Sequence, residues 1–164
     1  MDDVKDELSR RIFLQGLGAA LSCPLLASCE FVEVFDAEAG EEVNFALSDP
    51  EFAGLEEVGS TACIEAGELD LLLIRKDQQT VIAVERFCPH QELNMGPCDD
   101  NPQPAVWDAD KQQLTCRWHL SVFDVDGQVV SGPSPRSLRL YPVDFDPQSG
   151  QGTVLAGSGR GVEQ

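Results

Sequence analysis

Histidine is scarce. The 164 residues contain two, His90 and His119, so a site needing three imidazoles is excluded. Positive charge is scarce as well. Eleven Lys and Arg face 29 Asp and Glu, a formal charge of −18, and a protein of that sign repels phosphate backbones. Nucleic-acid binding is excluded on that ground. No permanent transmembrane helix is expected, because the apolar stretch Ile12 to Ala27 has only about 16 residues, interrupted by Gly16, Gly18, Ser22 and Pro24. Spanning ~30 Å of hydrocarbon takes ~20 predominantly apolar residues. Long amphipathic helical patterns and internal repeats are also missing. What remains is 42% hydrophobic, enough for the core of one ordinary domain, with 14 Gly and 10 Pro that suit a turn-rich β-structure. Six cysteines complete the inventory, and their positions say more than their number.

The N-terminal region reads as an address. Residues 9 to 15, Ser-Arg-Arg-Ile-Phe-Leu-Gln, resemble a twin-arginine export signal, with Gln15 where the pattern usually has Lys. The apolar stretch ends in Leu26-Ala27-Ser28-Cys29, which resembles a lipobox, where cleavage leaves an acylated cysteine at the new N-terminus. Residues 1–28 are therefore expected to be a signal peptide, with Cys29 carrying lipid and residues 29–42 forming an acidic tether. Two alternatives stay open: a soluble exported protein with an incidental Cys29, and an uncleaved N-terminal anchor. The resemblance to a twin-arginine signal implies export in the folded state, as a protein needs when a cofactor is inserted first. The expected place is the periplasm or the outer face of a membrane.

From Val43 onward the pattern is strand-like. Leu71-Leu72-Leu73-Ile74 and Val81-Ile82-Ala83-Val84 are short apolar runs around the polar turn Lys76 to Gln79, which predicts a hairpin with an inner strand. Ser121 to Val125 and Gln128 to Val130 flank Asp126-Gly127, a two-residue hairpin signal. Leu138 and Leu140 alternate with Arg139, Gly152 to Ala156 suits a closing strand, and Glu51 to Leu55 suits one helical turn. The expected fold class is all-β. Residues 43–156 form the domain and 157–164 a flexible tail.

Two compact clusters carry the chemistry. Cys88-Pro89-His90 and Cys116-Arg117-Trp118-His119 each supply one thiolate and one imidazole, with 25 residues between them. Cys-x-His followed by Cys-x-x-His is the ligand pattern of a Rieske [2Fe–2S] centre, where two His replace two Cys on one iron. Residues 116 to 143 resemble the second half of a Rieske domain, and Leu71 to Cys88 the hairpin feeding its first loop. The resemblance implies an antiparallel β-sandwich with a small cluster-binding subdomain, its loops at about 86–98 and 114–135. It implies Cys88 and Cys116 on the buried iron, His90 and His119 on the outer iron, and Gly132-Pro133-Ser134-Pro135 as a covering proline loop. With two thiolates instead of four the oxidised centre is uncharged and accepts an electron more readily, at about −150 to +300 mV.

This chain departs from the family pattern in three places. Leu120 stands where Gly usually follows the second His, which puts that turn in question. The segment between the motifs carries an acidic, Pro-rich insert, Cys98 to Pro104. Trp118 occupies a position where respiratory members have a loop-bridging cysteine. Ser121 matches a serine that donates to cluster sulfur, but Phe123 lacks the hydroxyl of the matching tyrosine, so an intermediate potential is expected. Cys63 and Cys98 are left over, as a disulfide or as two buried thiols.

The resemblance implies one-electron transfer without an autonomous catalytic site, as a membrane-tethered carrier or as the Rieske subunit of a redox complex. The partners it implies are a c-type cytochrome as acceptor and a quinol or a molybdenum oxidoreductase subunit as donor. A self-contained oxygenase is excluded, because its separate iron needs two further histidines. A ferredoxin feeding an oxygenase, and a zinc-stabilised module without redox chemistry, are the alternatives.

Overall fold

The computed structural model describes residues 41–158, and the expected signal peptide, Cys29 and the tether as far as residue 40 lie outside them. In chain order the strands are β1 (Glu42–Ala46), β2 (Thr61–Ala66), β3 (Leu69–Arg75), β4 (Val81–Glu85), β5 (Phe87–Cys88), β6 (Leu93–Asn94) and β7 (Val106–Asp108). They continue as β8 (Gln113–Thr115), β9 (Val122–Asp124), β10 (Val129–Ser131), β11 (Leu140–Tyr141), β12 (Val143–Asp146) and β13 (Gln151–Leu155). Among the described residues there is no α-helix, and the fold is all-β. The first strand starts at Glu42, so the tether expected over 29–42 gives up its last residue to β1. The helical turn expected at Glu51 to Leu55 lies slightly later, as a 3₁₀ turn at Ala53–Glu56.

Strands β3 and β4 are interior to the sheet β11-β4-β3-β2, and the sequence shows why. A strand covered on both faces is apolar at every position instead of alternating. Leu71 and Leu73 of β3, with Val81 and Ala83 of β4, enter one core with Phe45, Phe52 and Val154. Leu72, Ile74 and Val84 point the other way, into a second core with Met95, Trp107, Leu114, Phe123 and Leu138. The three-stranded sheet β1-β13-β12 contributes Phe45 and Val154 to the first core, and the sheet β10-β9-β8-β7 contributes Trp107, Leu114 and Phe123 to the second. Both sheets thus pack on the hairpin that the apolar runs predicted. Cys88 and Cys116 belong to the second core, which fixes the side of the sandwich where the site forms.

Strand β2 carries no apolar run like those of β3 and β4, yet its burial alternates along Thr61-Ala62-Cys63-Ile64-Glu65-Ala66. It turns into β3 through Gly67-Glu68, with Ala66 opposite Leu69 and Gly67 at φ 61°. Glycine as the first residue of a two-residue loop is a hairpin signal of its own. The Asp126-Gly127 hairpin forms, but with a three-residue loop. The Gly127 N–H donates to Asp124 O at 3.0 Å, the Asp124 N–H donates to Gln128 O at 2.9 Å, and Gly127 takes φ 77°. That is a type I turn closed by a glycine bulge, and a separate register shift between β9 and β10 falls further along, between Val129 and Ser131.

Candidate metal centre

Each of the two Cys-His motifs closes on itself in the same way. Cys88 ends β5, which pairs with β6, and the Glu92 N–H donates to Cys88 O at 2.8 Å. Cys116 follows β8, which pairs with β9, and the Leu120 N–H donates to Cys116 O at 3.0 Å. In both loops the residue four after the cysteine is left-handed, Glu92 at φ 55° and Leu120 at φ 60°. One reversed turn thus lifts each histidine at a hairpin tip. The Leu120 turn is therefore kept despite the missing glycine, and a 65% exposed leucine bears the conformation.

The two tips bring all four expected residues together as pairs. Cys88 and Cys116 are free and buried, at 2% and 1% exposure. The neighbouring Cys88 thiol, with the backbone N–H groups of Trp118 and His119, pulls the Cys116 thiol down to about 6. Cys88 is pushed up by the neighbouring Cys116 and by its burial. The imidazoles of His90 and His119 meet edge to face, their centroids 4.7 Å apart. Among the described residues no three His, Cys, Asp or Glu side chains gather as one ion would need. The arrangement is two and two.

Two buried polar atoms here lack a partner among the described residues. His90 Nδ1 is buried without a hydrogen-bond partner, and so is Ser121 Oγ. The Ser121 hydroxyl makes no hydrogen bond of full geometry, yet it lies near enough to the Cys88 sulfur to favour its thiolate. Leaving a buried polar group unpaired costs ~1–3 kcal/mol. An iron–sulfur cluster would use both atoms, Nδ1 as ligand and Oγ as donor to sulfur. Phe123 is fully buried nearby in the second core and offers no hydroxyl. The loop at Gly132 lies directly on this structure. A Cβ there would sit 2.5 Å from Ser121 Cα and 2.6 Å from Leu120 O, so only glycine permits the approach.

Residues 52–142, more than half of the chain, match the family described as the Rieske [2Fe-2S] domain. The chain belongs to this family. A Rieske domain implies a Rieske-type [2Fe–2S] cluster, and membership sets the zinc alternative aside. Two cytochrome b6-f complex iron-sulfur subunits are similar over 89 residues, at 30% identity from Prochlorococcus marinus strain MIT 9301 and 32% from Prochlorococcus marinus subsp. pastoris. Each match covers 54% of this chain and 50% of the relative, so the chain spans about half the length of the curated relatives it matches. The ferredoxin of carbazole 1,9a-dioxygenase from Nocardioides aromaticivorans shares the fold, with a TM-score of 0.50 at 23% identity over 60% of this chain and 86% of that one.

Two supports of this Rieske site escaped the sequence. Trp118 Nε1 donates to Asn94 O at 2.9 Å, which ties the second loop to the strand that closes the first. The indole thus makes a bridge between the loops in addition to covering apolar surface in the second core. Asn94 O also accepts from Asn101 Nδ2 at 2.9 Å, and Asn94 Nδ2 donates to Cys98 O at 3.1 Å, so the acidic insert folds back on the loop. Among the leftover cysteines the disulfide alternative is realised, as Cys63–Cys98 with Cα atoms 6.2 Å apart. Nothing in the local spacing signals these contacts, which join residues 24 and 35 positions apart.

Proposed function

We propose that Cys88 and Cys116 hold the inner iron of the cluster and His90 and His119 the outer iron, and that the protein is a one-electron carrier exported to the outer face of a membrane. The observation that carries this reading is the facing pair of hairpin tips, with two buried sulfurs meeting and two imidazoles 4.7 Å apart. When bound, the cluster supplies reversible one-electron chemistry. The chain's own residues do the rest. Apolar packing around Cys88 and Cys116 excludes water from the sulfur side, Ser121 offers a hydrogen bond to sulfur, and the imidazoles face the partly exposed side. The similarity to cytochrome b6-f iron-sulfur subunits supports a place within or beside a membrane redox complex. The donor is then a quinol or a molybdenum oxidoreductase subunit and the acceptor a c-type cytochrome. The charge of −18 favours a basic partner, with association slowing as salt rises.

His90→Ala and His119→Ala should each abolish the EPR signal of the dithionite-reduced protein while the far-UV spectrum keeps its β-signature. A variant that retains the signal removes that residue from the ligand set. The address is tested separately. Replacing Arg10 and Arg11 with Lys should leave the protein in the cytoplasm, and Cys29→Ser should release it from the membrane fraction.

A further inference from the structure

Away from the cluster ligands, the Cys63–Cys98 disulfide lies in a surface groove of about 590 Å³ that Arg86, Asp99 and Pro97 also line. Both cysteines are half-buried, not sealed in a core. Arg86 is the unusual neighbour. Its side chain is 8% exposed, and its Nη1 donates to Cys98 Sγ at 3.0 Å. The guanidinium is held there by Asp70 on Nη2, by Asp99 at 3.4 Å and by stacking on the Phe87 ring. Among the described residues Cys63 Sγ has no such donor. It is packed instead against Gly96, where a Cβ would come within 2.3 Å of the sulfur. The two sulfurs are therefore electrostatically unequal.

We infer that Cys63–Cys98 is a second redox site, a thiol–disulfide exchange site for a dithiol reductant, with Cys98 as the leaving sulfur. A nearby cation stabilises a thiolate, and a better-stabilised thiolate leaves faster. One thiolate of the dithiol attacks Cys63 Sγ. The Cys63–Cys98 bond breaks, and Cys98 departs as a thiolate facing Arg86. The second thiolate of the dithiol then attacks its own sulfur in the mixed disulfide and releases Cys63. The protein disulfide gains two electrons and two protons, and the dithiol loses the same and leaves as a disulfide. No step uses the iron–sulfur cluster.

Two measurements on the folded, cluster-loaded protein test this. Reduced glutathione serves as a monothiol probe, followed by an acid quench, maleimide trapping and peptide mass spectrometry. Glutathione should be found on Cys63 and maleimide on Cys98. Glutathione on Cys98 overturns the inference, and so does a disulfide that yields only after far-UV structure is lost. The second measurement is the rate of reduction by dithiothreitol. Arg86→Gln should slow it about tenfold or more, and Arg86→Lys should restore part of the rate. An unchanged rate in a folded Arg86→Gln protein overturns the role of the guanidinium. The glutathione experiment needs no substitution, so it decides the matter if that variant fails to fold.

Discussion

Ser121 is fully buried, and its hydroxyl has no partner that satisfies it among the described residues. A hydrogen bond to cluster sulfur is strongest in the reduced state, where the sulfur carries more negative charge, so it raises the potential. Ser121→Ala should therefore lower the midpoint potential by about 60 mV, the one-electron equivalent of a hydrogen bond worth ~1.4 kcal/mol. A redox titration that finds no fall removes Ser121 from the cluster's hydrogen-bond shell. Leu120 presents the opposite situation, a residue that suits its turn badly. At φ 60° a leucine bears a cost of ~1–2 kcal/mol, while glycine adds unfolded-state entropy worth ~0.4–1 kcal/mol. Because the side chain is exposed, Leu120→Gly should raise stability by up to about 1 kcal/mol. Thermal unfolding checks this, and a lower melting temperature would mean that the leucine makes contacts of its own.

At the scale of elements, the cluster hairpins β5–β6 and β8–β9 are very short, at two and three residues per strand. Strands of that length do not hold a geometry alone. Their mutual placement rests on the Trp118 to Asn94 hydrogen bond, on the glycine contact at Gly132 and on the second core beneath them. Trp118→Phe keeps most of the apolar surface and removes only the donor. It should cost ~1 kcal/mol and speed cluster loss on heating, read as faster bleaching of the visible band. Bleaching at the parental rate would show that packing alone holds the loops. The core strand β3 is under a stricter constraint. Leu72 is fully buried in the second core, and Leu72→Ala should cost ~2–5 kcal/mol in denaturant unfolding. A loss below ~1 kcal/mol would contradict the close packing that places the cysteines.

Across the whole molecule, charge sets the response to pH. Lowering the pH from neutrality towards the isoelectric point near 4.2 relieves the self-repulsion of a chain at −18. Local interactions then work against further acidification. The Lys111 ammonium beside Asp108, and the Ser149 hydroxyl and Gln148 amide beside Asp146, hold those carboxyls below their ordinary 3.8. Their stabilisation is complete above that value and is lost as pH falls through the lower folded one. The melting temperature should therefore rise from pH 8 to about 5 and fall below about 4, with added salt raising it more at pH 8 than at pH 5. A steady decline from pH 8 to 5 would show that self-repulsion contributes little.

The two Cys-His motifs, the inner hairpin and the family were legible in the residues themselves. Spacing such as Cys-x-x-His lies within one turn, and an unbroken apolar run reports burial on both faces wherever the strand ends up. Only the tertiary structure decided that Cys63 and Cys98 bond, that Trp118 bridges to Asn94 and that Leu120 accepts a left-handed turn. Each depends on where distant segments meet after the chain reverses, or on packing strong enough to override a local preference. The same folding that gathers two sulfurs and two imidazoles at one end also sets a buried guanidinium beside one sulfur of the disulfide. That inequality has no trace in sequence spacing, because Cys63 reaches Cys98 from β2 and Arg86 from the bend between β4 and β5.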